Sequence, residues 1–178
     1  FGRFLLFACF FPQMTSGPIS RMGQLGGELG REHALDRENL RSGTIRIIVG
    51  AAKKLILAEN LAQIVPSLLT TEHGALRPIG FLGMMLYVAQ VYADFSGCMD
   101  IVLGSAKLFG VTMVENFRSP FLSRSIQEFW QRWHITLGLW LRDYVMYPLL
   151  RSRAFQRMTK NIKRRFGKTA SRRLPTWL

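Results

Sequence analysis

The side chain most able to do chemistry is His134, which lies in the stretch SIQEFWQRWHITLGLWLRDYV, Ser125 to Val145. Imidazole titrates near neutral pH, so this side chain is suited to accepting and releasing a proton. Gly138 follows one helical turn later and leaves room for a close approach. A lone histidine is more often structural than catalytic, and spacing by itself favours the structural role.

Tryptophans surround this histidine. A helix over residues 125–145 would carry an aromatic stripe on one face. The stripe consists of Trp130, Trp133, Leu137 and Trp140. Tryptophan favours the membrane-water boundary because its ring is largely apolar while its indole N–H needs a partner. We therefore expect an interfacial anchor, with Arg132, Arg142 and Asp143 on its wet side.

Polar residues also interrupt an apolar stretch upstream. Gln90 and Asp94 lie four residues apart, on one helical face with Tyr87. Charges at membrane depth cost roughly 2.5 to 3.5 kcal/mol on insertion scales, so they usually face a protein interior or a water-filled cavity. Asp94 is expected to cap a helix that breaks at DFSG, to line a reaction cavity, or both.

Long apolar runs must position these residues. Ile79 to Ala93, with its flanks, comes near the ~20 residues that a membrane-spanning helix needs. Cys98 to Val114 fits a second span or a re-entrant segment. Thr44 to Leu69 is interrupted by charges such as Lys53 and Lys54, so an interfacial amphipathic helix and a tilted span both fit. The predicted fold class is all-α, a polytopic transmembrane helical bundle with interfacial or re-entrant helices.

Charge is concentrated in one segment. The chain of 178 residues has 24 basic and 11 acidic side chains, and ten of the basic ones lie in residues 151–173, which contain no acid. Nucleic-acid binding would need basic residues interleaved with aromatics on a soluble fold, so we do not expect it. The segment suits a loop that faces anionic lipid headgroups, and the positive-inside rule places it in the cytoplasm.

Other motifs exclude several classes of chemistry. Cys9 and Cys98 have no metal-type spacing, so neither a metal site nor a disulfide is predicted. No P-loop, nucleophile elbow or cofactor motif is present in the sequence. Residues 20–43 are predicted to be a solvated loop that leads into a charged helix start. Because no initiator Met or signal-peptide layout is visible, residues 1–178 are interpreted as part of one domain of a larger protein.

Three collinear blocks carry a family resemblance. They are FFPQMTSGPISR from Phe10, YADFSGCMDIVLGSAKLFGV from Tyr92, and ENFRSPFLSRSIQEFWQRWHITLGLWLRDYVMYPL from Glu115. Together they resemble the bacterial branch of the membrane-bound O-acyltransferase family. The resemblance implies a polytopic helical enzyme whose reaction tunnel crosses the bilayer, and which carries an acyl group from the cytoplasmic side to a hydroxyl of an extracytoplasmic polymer.

The resemblance also implies roles for individual residues. His134 takes the first of two polar tunnel positions, as a catalytic residue that orients the acyl donor or acceptor. The second, a histidine expected to act as the base, should lie beyond Leu178, since His33 and His73 have the wrong context, and this chain alone is expected to be inactive. Further residues are implied as tunnel lining or structural support. They are Asp94, Ser96, Asp100, Asn116, Trp130, Arg132, Trp133, Arg142 and Asp143.

The implied function is transfer of acetyl to a cell-envelope polysaccharide at the bacterial plasma membrane. Its partners would be membrane lipid, an acyl-CoA or acyl-carrier protein as donor, a polysaccharide acceptor and a periplasmic or extracellular partner transferase. D-alanyl transfer to teichoic acid from a carrier protein is the first alternative, and a membrane scaffold is the second. The basic loop after RDY is more similar to the acyltransferases of Gram-positive bacteria than to the alginate type.

Overall fold

The computed structural model describes residues 1–14, 16–33, 36–69, 79–153 and 155–160. These residues are helical or irregular and contain no strand, which confirms the all-α class. Within the same ranges, no helix combines the length and the apolar character that crossing a membrane requires. The chain divides into two compact units, Phe1–Thr136 and Leu137–Leu178. From the sequence, residues 1–178 were expected to belong to one domain.

Nine α-helices, two π-helical segments and one 3-10 turn have defined bounds among the described residues. In chain order they are α1 Gly2–Ala8, α2 Phe11–Met14, α3 Met22–Leu29, α4 Arg37–Ala51, the first π-helical segment Ala52–Ala58, α5 Glu59–Leu69, α6 Gly80–Leu108, the 3-10 turn Pro120–Leu122, α7 Ile126–Arg132, α8 Ile135–Leu141, the second π-helical segment Arg142–Met146 and α9 Tyr147–Arg151. Residues 155–160 are also helical.

The first unit is organised by the contact between α4 and α6, which run antiparallel. A Cβ atom built on Gly43 would lie 2.8 Å from the carbonyl oxygen of Gly104, and one built on Gly50 would lie 2.6 Å from that of Gly97. Gly43 and Gly50 are seven residues apart on α4, as are Gly97 and Gly104 on α6, and seven residues make about two helical turns. The two backbones therefore touch along one line, which only small residues permit.

The buried core lies on the C-terminal half of α6. It consists of Leu25, Met99, Val102, Leu103, Ala106, Val111 and Met113. Leu25 comes from α3, inside the segment that was predicted to be a loop. The structure corrects that prediction, since residues 20–43 hold α3 and the start of α4. The glycines there suggested a flexible connection, but Gly26 is buried and serves packing instead.

A second correction concerns the predicted break at DFSG. The helix α6 runs without interruption from Gly80 to Leu108 and joins the run of residues 79–93 to most of the run that was expected to form a second span or a re-entrant segment. The small residues in this motif do not end the helix, because Ser96 is buried and Gly97 receives the backbone of Gly50. Asp94 consequently caps nothing, and its carboxylate pairs with Lys54. Residues 111–114 leave the helix in a non-helical segment.

The third correction concerns the helix predicted over residues 125–145. Its start is as expected, because Ser125 accepts a hydrogen bond from the Glu128 N–H as an N-cap. The helix then ends at Arg132, and His134 has a left-handed backbone with φ of 44°. The continuous tryptophan stripe does not form, because this turn separates α7 from α8.

Two predictions fall largely outside the described ranges. Of the basic segment 151–173, the structure describes residues 151–153 and 155–160 only. His73 also lies outside the described residues. The stretch Thr44 to Leu69, in contrast, is fully described and is helical throughout, with Pro66 inside α5.

Candidate functional site

His134 lies in the turn between α7 and α8. Backbone hydrogen bonds connect this turn to the irregular segment that follows α6. The Ile135 N–H donates to the Asn116 carbonyl oxygen at 3.0 Å, and the Arg118 N–H donates to the Arg132 carbonyl oxygen at the same distance. These backbone bonds flank the histidine on both sides. A non-glycine residue with positive φ is strained and persists only where its surroundings hold it, and such residues cluster at functional sites.

The side chain of Asn116 is the centre of the contacts around His134. It is completely buried, at 0% exposure. Its Oδ1 lies 3.1 Å from His134 Nδ1, 3.1 Å from the Thr136 backbone nitrogen and 3.0 Å from Thr136 Oγ1. Its Nδ2 lies 3.3 Å from the sulfur of Met99 on α6. A single amide therefore ties the histidine turn to the core.

Two further contacts extend this network. The Ile19 N–H donates to Thr136 Oγ1 at 3.1 Å, which connects the first of the three sequence blocks to the third. The ring of Phe95 meets the imidazole of His134 edge to face, with ring centroids 4.8 Å apart. Burial lowers the pKa of His134 below its usual value of 6.5, because desolvation disfavours the charged imidazolium.

An aromatic cluster covers one side of the histidine turn. Its members are Tyr92, Phe95, Phe117, Phe121, Phe129 and Trp133. Trp133 contacts four of the other rings and stacks on Phe129 at 5.5 Å. Trp130 meets only Phe129 among the described rings and is 61% exposed. The two tryptophans predicted to play one role are thus in different environments.

A charged cluster joins α4 to α6 and to Glu115, the residue before Asn116. Arg46 binds both carboxylate oxygens of Glu115 at 2.6 Å, and its Nε donates to Asp100 at 3.0 Å. Lys53 reaches the second oxygen of Asp100 at 2.6 Å. Arg46 and Lys53, two of the basic residues that interrupt the apolar run of residues 44–69, therefore form ion pairs with acidic residues of α6 and of the segment after it.

A cavity of about 180 Å³ lies between this cluster and Asn116. Ser96 and Asp100 of α6 line it together with Asn116. The hydroxyl of Ser96 is buried and has no hydrogen-bond partner among the described residues. Within the described ranges, no group of three or more His, Cys, Asp and Glu side chains is arranged to hold a metal ion.

The predicted site residues thus separate into groups. Ser96, Asp100 and Asn116 share the cavity, while His134 and Trp133 lie in the adjoining turn. Asp94 pairs with Lys54, and Arg132 pairs with Glu128 of the same helix at 2.6 Å. Arg142 and Asp143 belong to the second unit, where they form an ion pair of 3.2 Å. The catalytic and supporting roles of these residues stay predictions.

Four residues of this arrangement were not predicted as site residues from the sequence: Arg46, Phe95, Glu115 and Thr136. Arg46 and Asp100 were both visible as charges in apolar runs, and pairing such charges across the two runs was the available signal. Thr136 follows His134 by two residues in WHIT, but nothing local indicates that its hydroxyl and N–H meet one amide. Phe95 carried no signal, because its contact depends on how α6 packs.

Comparisons with known proteins agree with the resemblance. The model of MBOAT, the membrane-bound O-acyltransferase family, matches residues 1–160. The chain is 37% identical over 147 residues to the probable alginate O-acetylase of Pseudomonas fluorescens, which covers 82% of this chain and 29% of that protein. It is 31% identical over 148 residues to the peptidoglycan O-acetyltransferase of Helicobacter pylori, covering 82% of this chain and 28% of the relative.

A third relative has a different activity in its name. The chain is 32% identical over 157 residues to the teichoic acid D-alanyltransferase of Streptococcus thermophilus, covering 84% of this chain and 37% of that protein. The chain thus spans less than two fifths of the length of each of these relatives. Because the family model covers most of its residues, this chain belongs to the membrane-bound O-acyltransferase family.

Proposed function

We propose that the full-length protein is an O-acyltransferase of the bacterial plasma membrane that transfers an acetyl group to hydroxyls of a cell-envelope polysaccharide. Family membership and the two relatives named as O-acetylating enzymes support the reaction class. The observation that carries the assignment of a site is His134, a half-buried imidazole held by Asn116 in a left-handed turn.

The chemistry requires two kinds of group. As the acceptor hydroxyl oxygen attacks the carbonyl carbon of the acyl donor, the bond to the leaving group breaks, and the hydroxyl proton must pass to a base. Negative charge develops on the carbonyl oxygen and needs donors aimed at it. His134 assists by orienting one of the reactants, and a second histidine in the full-length protein removes the proton. The donor would be an acyl-CoA or acyl-carrier protein, with a separate extracytoplasmic transferase as partner.

The test is His134→Ala in the full-length protein, with acyl esters on the envelope polymer measured at matched membrane abundance. We expect a loss of about 100-fold or more, since positioned acid-base groups contribute roughly 10²- to 10⁴-fold. His33→Ala is the matched control, because His33 is exposed and, among the described residues, its Nε2 has a hydrogen-bond partner only in the carbonyl oxygen of Glu28. Unchanged acylation by His134→Ala would remove the histidine from the reaction.

D-alanyl transfer to teichoic acid is the second candidate. The relative from Streptococcus thermophilus and the basic segment after residue 150 favour it. Membranes containing the full-length protein would be supplied in parallel with labelled acetyl donor and with D-alanyl-loaded carrier protein. Incorporation of one label and not of the other into polymer decides between the candidates. Incorporation of neither, with the protein intact in the membrane fraction, would favour a scaffold role.

A further inference from the structure

The buried amide of Asn116 determines which nitrogen of His134 carries the proton. The Thr136 backbone N–H lies 3.1 Å from one terminal atom of the amide, and a backbone N–H can only donate a hydrogen bond. That terminal atom must therefore be the oxygen. A flipped amide would place its NH₂ group against this N–H and leave the donor without an acceptor in a buried position, which costs about 1 to 3 kcal/mol.

The hydroxyl of Thr136 leads to the same orientation. Its oxygen accepts the Ile19 N–H at 3.1 Å, and its single hydrogen is directed to Asn116 Oδ1 at 3.0 Å. Two independent donors from Thr136 thus converge on the amide oxygen. A third polar atom at 3.1 Å from this oxygen is Nδ1 of His134. Since the amide oxygen can only accept, Nδ1 must carry a hydrogen and donate it.

We propose that Asn116 holds the neutral imidazole of His134 as the Nδ1–H tautomer, so that Nε2 keeps its lone pair and accepts a hydrogen bond from the hydroxyl of the acyl acceptor. Among the described residues Nε2 has no hydrogen-bond partner, whereas Nδ1 is fully used. The inference rests on the proposed function and makes it more specific. A ring with a lone pair on Nε2 binds an O–H group, whereas an Nε2–H tautomer would serve the carbonyl oxygen of the donor.

Asn116 is accordingly a positioning residue, which acts through the histidine. Asn116 also holds the left-handed backbone at residue 134. The Ile135 N–H donates to the backbone oxygen of Asn116, while the imidazole ring binds the side chain of Asn116. Loss of the amide would leave the ring free to exchange tautomers and to rotate. We expect the kcat of Asn116→Ala to fall by about 10- to 100-fold, which is less than the roughly 10²- to 10⁴-fold that a positioned acid-base group contributes, because the imidazole itself is retained.

The tautomer is measured directly by ¹⁵N NMR of the full-length protein labelled at histidine, with the His134→Asn spectrum subtracted to identify the signals. We expect a protonated Nδ1 and an unprotonated Nε2 near neutral pH. A protonated Nε2 with a bare Nδ1 would overturn the proposal. Because this readout needs no substrate, it stands or falls separately from the acylation assay.

Kinetics of three variants besides Asn116→Ala complete the test. Asn116→Asp keeps the accepting oxygen but adds a negative charge, which favours the imidazolium, so the acid limb of the activity profile should move to higher pH. Thr136→Val retains the backbone N–H that orients the amide, so the Nδ1–H tautomer and the position of the limb should be unchanged. If the limb of Asn116→Asp does not move, Asn116 does not act through His134.

The third variant is His134→Ala, which separates this inference from the proposed function. Normal acylation by His134→Ala together with the expected tautomer in the wild-type spectrum would overturn the contact between Nε2 and the acceptor. Loss of folding in Asn116→Asp would leave the wild-type spectrum to decide. A decrease of kcat in Asn116→Ala without the expected tautomer would assign Asn116 a structural role and reject the proposal.

Discussion

The carbonyl oxygen of Gly97 occupies the space in which a side chain on Gly50 would begin, since a Cβ atom there would lie 2.6 Å from it. The neighbouring atoms are the Cβ of Asp100 and the backbone nitrogen of Ile101, both 2.9 Å away, so no flexible side chain is available to move aside. This contact sets the distance between α4 and α6, and thereby the position of every charge that pairs across them.

The first prediction concerns this helix contact. We expect Gly50→Ala to destabilise the fold by about 1 to 3 kcal/mol, which is the usual cost of overpacking. Gly27→Ala in α3 is the control, because nothing lies within 4 Å of its Cβ position and alanine favours a helix by up to about 1 kcal/mol. The two variants would be compared by thermal unfolding of the purified protein, and equal melting temperatures would contradict the close approach.

The second prediction concerns the ion pair between Arg46 and Glu115. Both guanidinium Nη atoms bind the carboxylate at 2.6 Å, and the two side chains are 30% and 39% exposed. A double-mutant cycle that replaces both residues with alanine and follows the free energy of unfolding should give an interaction energy of about 1 kcal/mol. The value is this small because solvent screens the two charges. Arg46→Lys should lose most of it, because an ammonium cannot reproduce the planar fork.

The pair of Lys54 and Asp94 offers the internal comparison for that cycle. Its side chains are more exposed, and it has a single contact between the two residues. We therefore expect its coupling to be smaller than that of Arg46 with Glu115. The reverse order would mean that the bidentate geometry contributes nothing to stability.

The third prediction separates two tryptophans that sequence analysis treated alike. Trp133 is half-buried among four aromatic rings, so Trp133→Ala should cost about 3 kcal/mol, at the low end for a buried aromatic residue. Trp130→Ala should cost under about 1 kcal/mol, since substitutions of exposed residues usually change the free energy of unfolding only slightly. Unfolding of the two variants under the same conditions checks the order, and equal costs would contradict the different environments of the two tryptophans.

The fourth prediction follows from the lowered pKa of His134, which results from burial. The unfolded chain binds this proton more tightly than the folded one, so the contribution of the neutral imidazole to stability is complete above the unfolded pKa, about 6.5. It is lost as the pH falls from there through the lowered folded pKa. We expect wild type to lose stability relative to His134→Asn only below the unfolded pKa of about 6.5.

His134→Asn is a suitable reference for that comparison because asparagine does not titrate there and tolerates a left-handed backbone better than most residues. The quantity to follow is the difference in melting temperature between the two proteins as a function of pH. A difference that is constant from pH 7 down to pH 4 would show that folding does not lower the pKa of His134.

Several features of the fold were predictable because they depend on local patterns. Apolar composition and periodicity indicated an all-helical chain, and the start of the helix expected from Ser125 agrees with the start of α7 at Ile126. The break at DFSG was wrong because small residues have the same local signature whether they end a helix or admit another backbone. Only the approach of Gly50 shows that Gly97 belongs to the second case.

The site shows the same division more sharply. The sequence by itself determined the family, through three blocks of matching residues, and it drew attention to His134 and Asn116. The tertiary structure decided what the two residues do to each other. A hydrogen bond between residues 18 positions apart depends on how the segment after α6 packs against the turn between α7 and α8, and on donors such as Thr136 whose direction no local pattern encodes. The proton on Nδ1 is a consequence of that geometry, because a donor and an acceptor acquire their roles only when folding brings them within reach.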